Sequence, residues 1–278
     1  MRPMWWLTLP LVAACTTASG HPAAQTPSPA APESTSALRP QYPSTYRRHP
    51  NPPVVIQHAT IMTAAGQEIP NGSILLRDGR IVAVGATVDA PADAVIVDGT
   101  GKYVTPGVID THSHLGVYAA PGTFGEDDGN EATNPVTAEV WAEHSFWPQD
   151  PQIPLAIAGG ITTIQALPGS ANLIGGRSAV LKLIPARSVQ EMKFPGAAYG
   201  LKMACGENPK RVYRNRGPST RMGNMAGYRA AFIQAESYRQ RWDKWNRDHQ
   251  GDPPQRDLRL ESLAALWPLT DHLVGLNT

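Results

Sequence analysis

Two histidines one residue apart, His112 and His114, are the residues of this 278-residue chain whose types and spacing most directly suggest chemistry. They lie in the stretch VTPGVIDTHSHLG, from Val104 to Gly116. In a strand over Val108 to His114, side chains alternate between faces, so Asp110, His112 and His114 share one side. Two imidazoles on one face can chelate a divalent metal, and Asp110 can orient one of them from behind. A His-x-His pair alone is weak evidence, since such pairs are commonly plain strand residues. Its flanks strengthen it. Pro106-Gly107 is a turn signal, and the apolar run Val108-Ile109 predicts a buried parallel strand. The carboxyl ends of such strands carry the sites of barrel and open-sheet enzymes.

The rest of the chain must position that pair. Composition is ordinary for a globular protein, 41% hydrophobic and 17% charged, and a formal net charge of +1 gives no reason to propose nucleic acid as a partner. Two cysteines, Cys15 and Cys205, exclude a disulfide-built scaffold. Residues 1–15 read as an export signal: Arg2, a short apolar core, then Leu11-Val12-Ala13-Ala14-Cys15. Small residues before a cysteine resemble a bacterial lipoprotein signal, with Cys15 as the lipidated residue. An ordinary secretory signal cut near Ala18 to Gly20 is the alternative. Both place the mature protein outside the cytoplasm, and the first predicts a lipid anchor to a membrane facing the periplasm. Residues 16–53, rich in Pro, Ala, Ser and Thr, predict a disordered tether.

Residues 54–103 predict a small antiparallel sheet domain, with strands at Val54 to Ile56, Ser73 to Leu76, Arg80 to Val84 and Ala94 to Val97. Asn71-Gly72 and Asp78-Gly79 are hairpin dipeptides. After Gly116 the polar stretch Tyr118 to Asn134 is placed to be an active-site loop, although its acidic run Glu126, Asp127, Asp128 is more simply a solvated surface. Further strands are predicted at Ile161 to Leu167, Ala179 to Ile184 and Tyr199 to Ala204. The glycine-rich run Pro168 to Gly176 matches neither a phosphate loop nor a dinucleotide site. Met225, Tyr228, Phe232, Ala235, Tyr238, Trp242 and Trp245 recur at helical spacing, an amphipathic helix whose aromatic stripe is packing. A second helix begins at Leu258. Strand–helix alternation after a small sheet points to an α/β barrel or doubly wound sheet.

A small β-domain running into VTPGVIDTHSH, followed by GGITT from Gly159, LPGSANLIGGR and LKMACGENPKRVY, resembles the metal-dependent amidohydrolase superfamily, in its imidazolonepropionase and Xaa-Pro dipeptidase-related branch. The resemblance covers Val54 to about Leu266. It implies a β-sandwich domain over residues 54–103 and a (β/α)8 TIM-like barrel domain over residues 104–278. It also implies a divalent metal, usually zinc, on His112 and His114, and metal-activated water attacking a carbon–nitrogen bond of a small cyclic amide or dipeptide-like substrate. A third ligand is expected from mid-barrel, either Glu207 or a carbamylated Lys202, with Glu207 preferred here. An ion pair of Glu207 with Lys210 or Arg211 is the plain alternative. The basic cluster Lys210, Arg211, Arg214, Arg216 and Arg221 is a carboxylate site or a solvated face.

The family also implies two later histidines and an aspartate general base, which this chain does not supply. Asp271 and His272 lack the β-run that would carry them. Fewer residues follow Val104 than the roughly 250 of such a barrel, so the expectation is a partial barrel lacking its later strands, a truncated copy with impaired activity or one completed by a second chain. The alternative is a non-catalytic exported lipoprotein that at most binds metal or ligand.

Overall fold

The computed structural model describes residues 42–266. The proposed signal with Cys15, most of the tether, and the pair Asp271 and His272 lie outside the described residues. Within them the chain is mixed α/β, with three separate sheets.

The first sheet contains β1 (Val54–Met62), β2 (Glu68–Arg77), β3 (Arg80–Gly85), β4 (Val95–Asp98) and β5 (Tyr103–Val104). β1, β2 and β3 run antiparallel in order, while β4 and β5 pair parallel with β1. The expected all-antiparallel sheet is therefore mixed, because the chain crosses after β3 to the far side of β1. Asp78-Gly79 makes the expected hairpin, with Arg77 opposite Arg80 and both turn residues at positive φ (54° and 64°). Asn71-Gly72 does not. Asn71 takes φ 50° inside β2, and the β1–β2 register slips around Ala59, opposite Gly72, so this dipeptide forms a bulge. A Cβ on Gly72 would lie 2.9 Å from Ile69 Cγ2 and 3.0 Å from Ile61 Cδ1. Gly72→Ala is thus expected to destabilise the protein by about 1–3 kcal/mol through overpacking, read as a lower urea midpoint at unchanged m-value. A midpoint equal to wild type would show that the sheet yields freely.

The second half begins with β6 (Val108–Ser113). It pairs parallel with β7 (Ile161–Ala166) through α1 (Gln152–Ala158), a β–α–β unit. β9 (Ala179–Lys182) adds antiparallel to β7, so β6 is an edge strand. That position explains why Val108 and Ile109, expected to be buried, are 52% and 64% exposed. Buried Ile164, Leu181, Phe146 and Met192, the last in the short helix α2 (Val189–Met192), form the core beneath this sheet.

β8 (Ile174–Arg177) and β10 (Leu201–Met203) form a third, two-stranded ladder that puts Lys202 opposite Gly176. α4 (Arg221–Asp248) and α5 (Leu258–Ala264) pack against it through Leu173, Ile174, Tyr228, Ala235 and Leu263. Thr220 and Asp257 cap the two helices, each accepting from a backbone N–H three residues on. The buried stripe of α4 includes Tyr228, Ala235 and Tyr238 as expected, but also Asn224 and Ala231, while Met225 faces solvent. Asn224 donates to the carbonyls of Cys205 (2.8 Å) and Gly206 (3.1 Å), tying α4 to the segment that follows Lys202. Among the described residues no helix is long and apolar enough to cross a membrane.

The predicted tether is held down at its C-terminal end. Lys193 Nζ donates to the Tyr42 carbonyl at 2.5 Å, Ser44 Oγ donates to the Lys193 carbonyl at 2.7 Å, and the Thr45 N–H donates to the Gln190 carbonyl at 2.9 Å. Lys193 is itself fixed by buried Glu143 at 2.6 Å. Prolines set the composition of this stretch, but specific partners far along the chain order its end.

Candidate active site

His112 is the fifth residue of β6 and His114 follows its last, where the Leu167 N–H at the end of β7 donates to the Ser113 carbonyl at 2.9 Å. The register slips between Asp110 and Ser113, so strict alternation ends there. The two rings still meet, with centroids 5.3 Å apart and planes at 85°. His114 Nδ1–H donates to the Leu167 carbonyl at 2.9 Å. That bond selects the tautomer whose Nε2 lone pair is available for a metal. Asp110 Oδ1 accepts the backbone N–H of His112 at 3.1 Å.

Of the two mid-chain candidates, Lys202 and not Glu207 stands against the histidines. Lys202 Nζ lies 3.1 Å from His112 Nε2, and the residue is only 4% exposed. Glu207 instead begins α3 (Glu207–Val212), its side chain 67% exposed and its carboxylate 3.0 Å from Lys210 Nζ. The sequence favoured Glu207 because it follows a predicted strand end and needs no carbamate, whereas Lys202 lies within the strand itself. The β8–β10 ladder points the buried position at the histidines, and the surface helix starts a few residues later. Arg216 of the basic cluster is likewise spent on the carbonyls of Ala132 (3.1 Å) and Thr133 (3.3 Å).

The electrostatics favour neutral nitrogens. Burial lowers the pKa of Lys202. Burial also lowers that of His112, with further lowering by Lys202 and His114 against a raising effect of Asp110. Neutral imidazole and amine are the states that bind a cation or react with an electrophile. Among the described residues no group of three or more His, Cys, Asp or Glu side chains could hold a metal ion. The donor set in place is two imidazoles and one buried amine, which fits a divalent metal best with Lys202 converted to an anionic ligand.

A cavity of about 460 Å³ adjoins this cluster, lined by Asp128, Glu139, Trp141, His144, Pro168 and Gly175 among others. Its size suits a small molecule. Gly175 brings the wall to Lys202, whose Cγ would lie 3.6 Å from a Cβ placed there. Trp141 is stacked with His144 at 6.0 Å and edge-on to Tyr199 at 4.7 Å, and Glu139 Oε2 is buried without a partner. Sequence reasoning pointed to the loop from Tyr118 to Asn134 but missed Glu139, Trp141 and His144, which have no motif spacing. It also missed Asp150, although an Asp before Pro151 at a helix start was a readable capping signal. Asp150 is fully buried, and its carboxylate accepts the N–H groups of Gly116 (2.9 Å), Gln152 (2.9 Å) and Ala120 (3.4 Å).

Comparison with known proteins shows what the chain is similar to. No family model matches the chain. An amidohydrolase from Thermotoga maritima MSB8 has a similar structure, with 38% identity and a TM-score of 0.70 over 77% of this chain and 55% of that one. More particularly, the chain is 35% identical over 223 residues to amidohydrolase tasK of Hapsidospora irregularis, covering 69% of this chain and 22% of that protein. It is 33% identical over 123 residues to an imidazolonepropionase of Geobacillus sp. (strain WCH70), covering 36% of this chain and 29% of that protein. The chain thus spans under a third of the length of these two curated relatives. It is similar to parts of proteins named as amidohydrolases and as an imidazolonepropionase.

Proposed function

We propose that the protein is a metal-dependent hydrolase of a carbon–nitrogen bond in a small cyclic amide or dipeptide-like substrate. In this reading His112, His114 and Lys202 are the metal-binding residues, set in the first part of a (β/α) barrel. The observation that carries it is the 3.1 Å approach of buried Lys202 to His112, beside two imidazoles 5.3 Å apart. Lys202 replaces Glu207 as the mid-chain ligand because Glu207 is committed to Lys210 at the surface. To serve an ion, the neutral Lys202 amine adds to carbon dioxide. The nitrogen lone pair forms one N–C bond as one C=O π bond of carbon dioxide opens onto its oxygen, the nitrogen gives one proton to solvent, and the amine becomes an anionic carbamate.

A divalent ion held there, zinc for a nitrogen-rich set, supplies Lewis acidity toward water and the scissile carbonyl. The chain's own residues do the rest. Leu167 fixes the His114 tautomer, Asp110 fixes the backbone of His112, and the adjoining cavity orients the substrate with Trp141 and Glu139 on its wall. Export with a lipid anchor at Cys15 is part of this reading. A second reading, an exported protein that at most binds metal or ligand, draws on one fact: the histidine pair is joined by no third His, Cys, Asp or Glu among the described residues.

The test is zinc content of the full chain, with amine release from a panel of cyclic amides and dipeptides. About one zinc per chain is expected, falling below about one tenth in His112→Ala and in His114→Ala, because loss of a direct ligand exceeds the 10–100-fold typical of its supporting residues. Unchanged zinc in both variants would sink the site. Zinc without amine release would favour the second reading.

A further inference from the structure

Between the histidine pair and the cavity stands Tyr118, a residue given no role so far. Its ring meets His114 edge-on, centroids 5.3 Å apart and planes at 89°. Its backbone is held at both ends, the N–H donating to the His114 carbonyl at 3.0 Å and the carbonyl accepting from Gln152 Nε2 at 3.0 Å. The phenol lies in a slot that only glycine permits. A Cβ on Gly129 would collide with the Tyr118 ring, and one on Gly169 with its hydroxyl. Asn130 Nδ2 donates to that hydroxyl, while Asn130 Oδ1 accepts the Ala171 N–H at 3.0 Å. Gly129 and Asn130 both line the cavity. One side chain therefore touches a proposed metal residue with its ring and the cavity wall with its hydroxyl.

We propose that Tyr118 is a positioning residue with two separable parts: its ring edge keeps the His114 imidazole in the ligating orientation, and its hydroxyl, through Asn130, keeps the cavity wall Asp128 to Glu131 closed over the site. This rests on the metal-hydrolase reading above. An aromatic ring in edge-on contact restricts imidazole rotation by packing. A side chain that supports a metal ligand typically contributes 10–100-fold in metal affinity.

The experiment uses the full chain and two readouts that need no substrate: zinc affinity by chelator competition, and hydrogen exchange of the amides over residues 128–131. Tyr118→Phe keeps the ring and removes the hydroxyl. It should hold zinc within about twofold of wild type while exchange of the wall quickens about tenfold. Tyr118→Leu should quicken exchange similarly and also weaken zinc at least about tenfold. Gly169→Ala, which keeps the ring and whose Cβ would meet the hydroxyl and the Asn130 amide, should reproduce Tyr118→Phe, and Tyr118→Met tests the ring's part if the leucine variant fails to fold. A folded Tyr118→Leu that binds zinc like wild type overturns the ring's part. Unchanged exchange in Tyr118→Phe and Gly169→Ala overturns the hydroxyl's part. Wild-type protein that takes up no zinc overturns the metal reading, and this proposal with it.

Discussion

Lys202→Met is expected to reduce zinc affinity at least about 100-fold, while leaving the urea midpoint close to that of wild type. The two halves of the expectation have different causes. A residue contributing a direct ligand costs at least what its supporting residues cost. The fold, by contrast, tolerates methionine at this position, since a buried amine is exchanged for an apolar chain of similar length. The same result should be reached without mutation, by stripping carbon dioxide and bicarbonate from wild-type protein before loading zinc. Lys202→Ala should regain part of its zinc on addition of acetate, whose carboxylate fits the space vacated by the side chain. Zinc content in Lys202→Met equal to that of wild type would remove lysine from the site. Loss in the mutant with no dependence on bicarbonate would mean that Lys202 acts as an amine and not as a carbamate. The corresponding change at Glu207, to Gln, is expected to alter zinc affinity less than twofold, because its carboxylate lies at the surface with Lys210.

The largest stability effect is expected at Asp150. Its carboxylate accepts the N–H groups of Gly116 and Gln152, each at 2.9 Å, inside a fully buried pocket. Asp150→Ala removes the acceptor of the buried Gly116 N–H and of the part-buried Gln152 N–H, at about 1–3 kcal/mol apiece, so a loss of about 2–6 kcal/mol should be read from the urea midpoint. Asp150→Asn keeps one acceptor oxygen and should lose roughly half as much. The Gly116 turn leads from His114 to Tyr118, so zinc affinity of any folded Asp150 variant should fall as well. Equal midpoints for wild type and Asp150→Ala would show that these N–H groups find other partners. Unchanged zinc affinity in a folded Asp150→Asn would separate the turn from the site.

Both effects come from contacts that no spacing in the sequence announces. Asp150 reaches back 34 residues to Gly116, and Lys202 reaches back 90 to His112. A reading along the chain sees Lys202 within a predicted strand and Glu207 just after its end. It cannot see which is buried, because that depends on how β10 sits against β8. It places the Asn71-Gly72 turn wrongly for a similar reason. The dipeptide has the backbone freedom for a hairpin, but Ile61 and Ile69 pack against it as a bulge within β2. Val108 and Ile109 are apolar enough for a core strand, yet β6 lies at the edge of its sheet.

Local signals, by contrast, were dependable. Residue types alone placed the strands β1 to β4, β6 and β7, the Asp78-Gly79 hairpin and the long helix α4, since turn chemistry and hydrophobic period act within a few residues. They also determined where to look for chemistry, since His112 and His114 are neighbours in any conformation. Only the tertiary structure decided what joins them: a buried lysine, a carbonyl at Leu167, a tyrosine held in a glycine slot and a cavity beside all three. Those partners come from distant strands and loops, and burial, which sets their pKa values and their hydrogen bonds, is a property of the packed chain.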